Sequence, residues 1–189
     1  VRNFLFNEGR MGDLHAAVEW NRQKEQIEIR STAKDTLLTA GNVSERRTDI
    51  NGWVSPKRND IRLDIDAHDT RGEFLENFCA SFMDDTHIRA NGRVSLVGPL
   101  DRLNLLGKLV VDGDALIKPL NCRYTLCHDT IYGQPNKIAF RTDTLRDNRG
   151  GVGLLNGALH HSNLGHLTYD FHIQADNLRV YNWNGKDGS

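Results

Sequence analysis

The sequence predicts a mainly β protein: an elongated, curved antiparallel sheet with one short amphipathic helix set into it. Three observations carry that expectation. Apolar and polar residues alternate along most of the 189-residue chain, the period of a strand with one face covered. The links between alternating stretches are short and rich in Gly, Asn and Asp, as in RDNRGG (146–151) and HSNLGH (161–166). Such links suit antiparallel neighbours, because a parallel pair needs a crossover of about a dozen residues. Glycines also recur inside the runs, at Gly92, Gly98, Gly107 and Gly113 of GRVSLVGPLDRLNLLGKLVVDGD (92–114), where a missing side chain permits a bulge or a bend.

The elements follow in order. LHAAVEW (14–20) puts Leu14, Ala16, Val18 and Trp20 on one face, and QIEIRST (26–32) does the same with Ile27 and Ile29. The intervening NRQKE is a hairpin loop. DIRLDIDA (60–67) alternates Ile61, Leu63 and Ile65 with Asp60, Arg62, Asp64 and Asp66, one face apolar and the other wet. The period then changes. GEFLENFCASFMDD (72–85) spaces Phe74, Phe78 and Phe82 four apart, the stripe of a helix of about three turns. Asp84 and Asp85 would fray its C-terminus. Its polar side carries Glu73 and Glu76 rather than cations, which favours capping the sheet over docking on anionic lipid.

Period two then resumes. The predicted strands are 88–97, 103–111, 115–118, 123–127, 137–142, 152–160 and 167–175, about ten to twelve in the whole chain. The helix marks a boundary, giving an N-terminal β segment (1–71), the helix (72–85), a β repeat region (86–183) and a tail (184–189). So many strands can close as a barrel, fold as a sandwich or stay open as a trough, and periodicity leaves all three open.

Composition narrows the function. Lys plus Arg total 24 against 25 for Asp plus Glu, which leaves no electrostatic footprint for nucleic acid. No run reaches the ~18–20 apolar residues of a membrane-spanning helix. The opening VRNFLFNEGR has no signal-peptide h-region and no Met, and reads as an excised or processed piece.

No motif carries catalysis, a cofactor or a metal. Cys79, Cys122 and Cys127 are expected as small buried apolar residues, since Cys122 and Cys127 could join only across a turn. His160, His161, His166 and His172 lie near Asp170 but lack ligand spacing, and are expected at the surface. Asp60, Asp64 and Asp66 form a solvated face rather than a Ca²⁺ loop, and Ser95 lies in no nucleophile elbow.

The second half resembles the C-terminal region of the TamB family (translocation and assembly module), within the wider AsmA-like group. The resemblance rests on GRVSLVGPLDRLNLLGKLVVDGDALIKPLNCRYTL (92–126), on Asp129–Ile131 and Pro135–Phe140, and on TLRDNRGGVGLLNGALHHSNLGHLTYDFHIQADNLRVYN (144–182). It covers about residues 72–183, and each motif is degenerate; their order carries the likeness. It implies a fragment of a long periplasmic protein of a double-membrane bacterium, anchored in the inner membrane by a segment outside this sequence. It further implies a trough with an apolar interior that carries phospholipid acyl chains between membranes, a role in outer-membrane assembly beside a barrel protein, and an array from which this sequence stops partway.

The residues expected to line the trough are Val94, Leu96, Leu105, Leu109, Val111, Ile138, Phe140, Leu154, Tyr169, Phe171 and Ile173. The competing expectation is a closed core, with the protein acting as a scaffold through its sheet edges. A sandwich binding carbohydrate on aromatic side chains is a third.

Overall fold

The computed structural model describes residues 2, 4–6, 9–39, 42–72 and 83–181. Among these residues eleven strands lie side by side in the order in which the chain makes them. They are β1 (Phe4–Phe6), β2 (Gly9–Asn21), β3 (Gln26–Thr39), β4 (Asn42–Ser55), β5 (Asp60–Arg71), β6 (Met83–Pro99), β7 (Asn104–Ile117), β8 (Cys122–Gln134), β9 (Lys137–Asp147), β10 (Val152–Ser162) and β11 (Gly165–Asp176). Every neighbouring pair is antiparallel. The protein is therefore mainly β, one antiparallel meander.

Alternation along each strand, locked by the ladder register, sorts the side chains onto two faces. Leu63, Leu96 and Leu105 stand side by side on β5, β6 and β7. Ile50, Ile65 and Val94 form the next row. The other face of the same strands carries Asp49, Arg62, Asp64, Asp66, Arg93 and Ser95 in matching rows. A one-residue slip would exchange the two sets, so the apolar rows and the ion pairs fix the same register.

The sheet is not flat. Cα atoms of β2 and β5 come within 8 Å of each other, although three strand spacings in a flat sheet would separate them by about 14 Å. At the hairpin end, the Leu103 N–H donates to Asn163 Oδ1 at 2.9 Å, joining the β6–β7 and β10–β11 loops. Bulges supply the bending. Asp69, Asp85, His128 and Thr142 all have positive φ, between 46° and 61°. Their N–H groups leave the ladder and donate to side-chain oxygens of Asn91, Asp84, Asp112 and Asn156, at 2.8 to 2.9 Å. Each bulge thus keeps its displaced donor satisfied.

Two strand glycines sit where neighbouring backbones crowd. Gly113 on β7 has φ 130°, and a Cβ there would lie 1.9 Å from the His87 carbonyl oxygen on β6. Gly52 on β4 meets the Arg62 carbonyl oxygen of β5 at the same 1.9 Å. No other residue fits such an approach.

Several expectations are corrected. The stretches 103–111 and 115–118 are one strand, β7, carried across the bulge at Val111/Gly113. Lys118–Leu120 is a 3₁₀ turn. The strand expected at 123–127 runs on to Gln134, and the one at 137–142 to Asp147. β1 and β4 were not anticipated. Of the helix expected at 72–85, residues 73–82 lie outside the described residues, as does Cys79. The last three positions, Met83–Asp85, open β6 instead of closing a helix. β5 pairs directly with β6, so the strands on either side of that segment share one sheet.

Candidate functional site: the apolar face

Following the register from β6 to β11 places ten of the eleven expected lining residues on one face. Val94 opposes Gly107, and Leu96 opposes Leu105; Leu109 and Val111 continue the same parity along β7. Gly107 opposes Gly133, which opposes Ile138. Ile138 opposes Leu159, which opposes Tyr169. Phe140 opposes Gly157, which opposes Phe171, and Leu155 opposes Ile173. The Phe140 and Phe171 rings meet edge to face at 5.6 Å, and Tyr169 stacks on Phe171 at 5.7 Å.

Leu154 is the exception. It opposes Thr144 and Gln174 and belongs to the charged face, 37% exposed. Leu155 and Leu159 take the inner positions of β10 and were missed. Adjacent leucines in VGLLNGALH fit either parity. Only the register of β10 against β9 separates them.

Cover on this face is uneven. In the middle, Val94 is 7% and Val111 4% exposed, while near the margins Val18 is 63%, Trp20 55% and Tyr169 59% exposed. Leu96, Leu105, Leu109, Ile138, Phe140, Phe171 and Ile173 are half-buried. Among the described residues no second sheet lies over them.

One end is sealed. Cys122, Tyr124, Leu145 and Leu155 pack with Leu178, which follows β11. This residue reaches them because the chain at 177–181 crosses back over the face. Tyr124 Oη donates to the Arg179 carbonyl at 2.6 Å, and the Arg179 N–H donates to Asp147 Oδ2 at 2.8 Å. Asp147 Oδ1 accepts from the N–H groups of Arg149 and Gly151, both at 2.8 Å. One buried carboxylate therefore holds both the β9–β10 turn and the crossing segment. Burial, with Cys122 beside it, pushes the Tyr124 hydroxyl pKa up. A cleft of about 150 Å³ opens beside this cluster, lined by Asn121, Arg123, Asp147 and Arg179 among others.

Polar groups interrupt the apolar face in two places. Asp35 opposes Arg46 on β3 and β4, and both are 6% exposed. Arg46 Nε donates to Asp69 Oδ2 at 2.9 Å, and the Thr48 and Thr70 hydroxyls lie 2.7 Å apart beside them. Further along, the β8–β9 ladder stops between Thr125/Arg146 and Tyr132/Ala139. Carboxylates stitch that gap. Asp129 accepts from Cys127 and Thr144 N–H groups at 2.9 Å, and Asp143 from the Arg141 N–H at 2.8 Å. Nothing in the alternation of the sequence announces either cluster, because each depends on partners from other strands.

Asp143 is 3% exposed. Burial raises its carboxyl pKa; the Arg141 N–H opposes that, and Asp129 adds to it. A carboxyl held above its unfolded value contributes stability that is fully present below the unfolded pKa and lost as pH climbs through the folded one. Asp143→Asn removes that dependence. Relative to the parent, the variant is expected to gain stability as pH rises from about 4 toward 7. Urea midpoints across that range check it, and a parallel pair of curves would show that Asp143 does not titrate differently in the fold.

The opposite face is a lattice of charges. Arg93 Nε meets Asp66 Oδ2 at 2.7 Å, Arg47 meets Asp49 at 2.7 Å, His128 meets Asp112 at 2.7 Å, and Arg123 bridges Asp85 and Asp114. The Ser95 hydroxyl donates to Asp64 and, with Arg62, holds its carboxyl below the usual range.

Two expectations fail here. Cys127, beside the bulge, is exposed, while Cys122 is buried, and both are free thiols. His161 is buried at 7% exposure, and burial, with His160 nearby, lowers its pKa; His160, His166 and His172 are exposed. Among the described residues no group of His, Cys, Asp and Glu could hold a metal ion, and no helix is long and apolar enough to cross a membrane. Comparison with protein-family models, curated proteins and solved structures finds no match.

Proposed function

We propose that this sheet is a trough-like segment of a TamB-like envelope protein, working in the periplasm and holding phospholipid acyl chains on its apolar face. The carrying observation is a single-layered sheet with one apolar face, well covered in its middle rows and open at β2 and β11. The close approach of β2 to β5 and the Leu103–Asn163 link favour a curled trough over a flat sheet. Each buried methylene contributes about 0.8 kcal/mol, and apolar contact imposes no fixed register, so a chain can slide while its head group stays in water.

In this reading the inner-membrane anchor belongs to a segment outside the sequence, an outer-membrane assembly barrel protein is a partner, and neither catalysis nor a cofactor takes part. A closed scaffold is the second reading, favoured by the sealing of one end by Leu178.

The test is native mass spectrometry with lipid extraction on the purified chain beside Leu105→Arg. Leu105 is half-buried in the leucine row of β5 to β7. Co-purifying phospholipid that the variant loses, while its circular dichroism stays that of a β sheet, is the expected outcome. A lipid-free, folded parent would move the assignment to the scaffold.

A further inference from the structure

β11 is an edge. It pairs with β10 from Val152/Asp176 to His160/Thr168 without a break, and among the described residues nothing pairs with its other side. Open edges are commonly blunted by Lys, Pro or a bulge. Residues 167–176, LTYDFHIQAD, contain no Lys, Arg or Pro, and their register is regular. The described chain that follows β11 does not double back along this edge either: residues 177–181 cross the apolar face, where Leu178 is buried and Arg179 bonds Asp147.

The charges on β11 are unbalanced in a way those of the inner strands are not. Asp49, Asp64, Asp66, Asp112 and Asp114 each meet an Arg or His on their own strand or the next. Asp170 and Asp176 share that face, but their β10 neighbours are Ala158 and Val152. Both carboxylates are exposed. Among the described residues, the strand position left beside them is the one outside β11.

We infer that the outer edge of β11 is a docking site for an extended antiparallel strand of another polypeptide. That strand places Lys or Arg opposite Asp170 and Asp176, six positions apart, and apolar residues opposite Tyr169, Phe171 and Ile173. Main-chain bonds to the edge hold it, and the alternating side chains select it. A second copy of this chain does not fit through its own open edge. Residues 13–21 of β2 carry Asp13 and Glu19 and no Lys or Arg, so they would bring like charges together. The inference is independent of whether the apolar face holds acyl chains.

The test uses a capped, fluorescently labelled peptide, Lys-Val-Thr-Ile-Thr-Val-Lys-Val-Thr, whose first lysine faces Asp176 and whose second faces Asp170. A control peptide carries Glu in place of both lysines. Cross-strand ion pairs of this kind discriminate by about tenfold when two act together. Saturable anisotropy with the lysine peptide is expected, about tenfold tighter than with the glutamate peptide. In the double variant Asp170→Lys, Asp176→Lys the preference should reverse. Both side chains point to solvent, so that variant keeps its fold, which matching thermal melts verify. Equal binding of the two peptides, absence of saturable binding, or an unreversed preference in the folded variant would each overturn the inference.

Discussion

Replacing Gly113 with Val is expected to destabilise the sheet by about 4 kcal/mol or more, a large share of the stability of an ordinary domain. The Cβ would stand 1.9 Å from the His87 carbonyl oxygen, a backbone atom that cannot swing aside as a side-chain tip can. Its φ of 130° lies where branched residues are strained in any surroundings. Relief requires β6 and β7 to separate where Ile88 opposes Gly113 and His87 opposes Asp114. Gly52→Val meets the Arg62 carbonyl oxygen in the same way and should behave alike. Urea denaturation with tryptophan fluorescence is the measurement. A cost near 1 kcal/mol, the ordinary difference between Gly and another residue in a regular element, would mean the strands do not need their close approach.

Asp147→Ala comes next, with an expected loss of about 3–5 kcal/mol. The carboxylate accepts from three backbone N–H groups, those of Arg149, Gly151 and Arg179. Alanine would strand these donors, and the Gly151 donor is buried. It would also release the crossing segment, so Leu178 would leave its packing against Cys122, Tyr124, Leu145 and Leu155. Faster amide exchange at Gly151 and Arg179, with new binding of an apolar dye, should accompany the loss. Asn at this position keeps one acceptor and should fall between. An Ala variant that melts with the parent would show that Leu178 and the Tyr124–Arg179 bond hold the segment without Asp147.

The sequence shows the strands more clearly than it shows their faces. Ile61, Leu63 and Ile65 alternate without interruption, and β5 was legible for that reason. β4 was not. Its inner face carries Arg46, Thr48, Ile50, Gly52 and Val54 in turn, a mixture that reads as a loop until β3 and β5 flank it. Bulges are the second obstacle. At the bulge opposite Val111/Gly113, β8 takes three steps from Leu126 to Asp129 against two on β7, and parity along β8 beyond such a point cannot be carried forward by counting. Leu154 was placed on the inner face for this kind of reason, since only pairing across β10 tells it from Leu155. Three of the four side-chain oxygens that satisfy the bulges come from neighbouring strands, Asn91 for Asp69, Asp112 for His128 and Asn156 for Thr142. No local pattern predicts them. The apolar rows were therefore legible as a set, while the polar groups set among them were not.

The order of the strands has a consequence for how the protein is made. Among the described residues each strand pairs only with the strands before and after it in the chain, so every ladder closes a loop of modest length and low entropic cost. Nothing synthesised late has to be inserted between pieces synthesised early. The sheet can grow from its N-terminal end one hairpin at a time, each finished strand templating the next, while the rest of the chain is still threaded through a ribosome or a translocation pore. Until growth ends, the newest strand always presents an open edge, and among the described strands β11 is the one that keeps it.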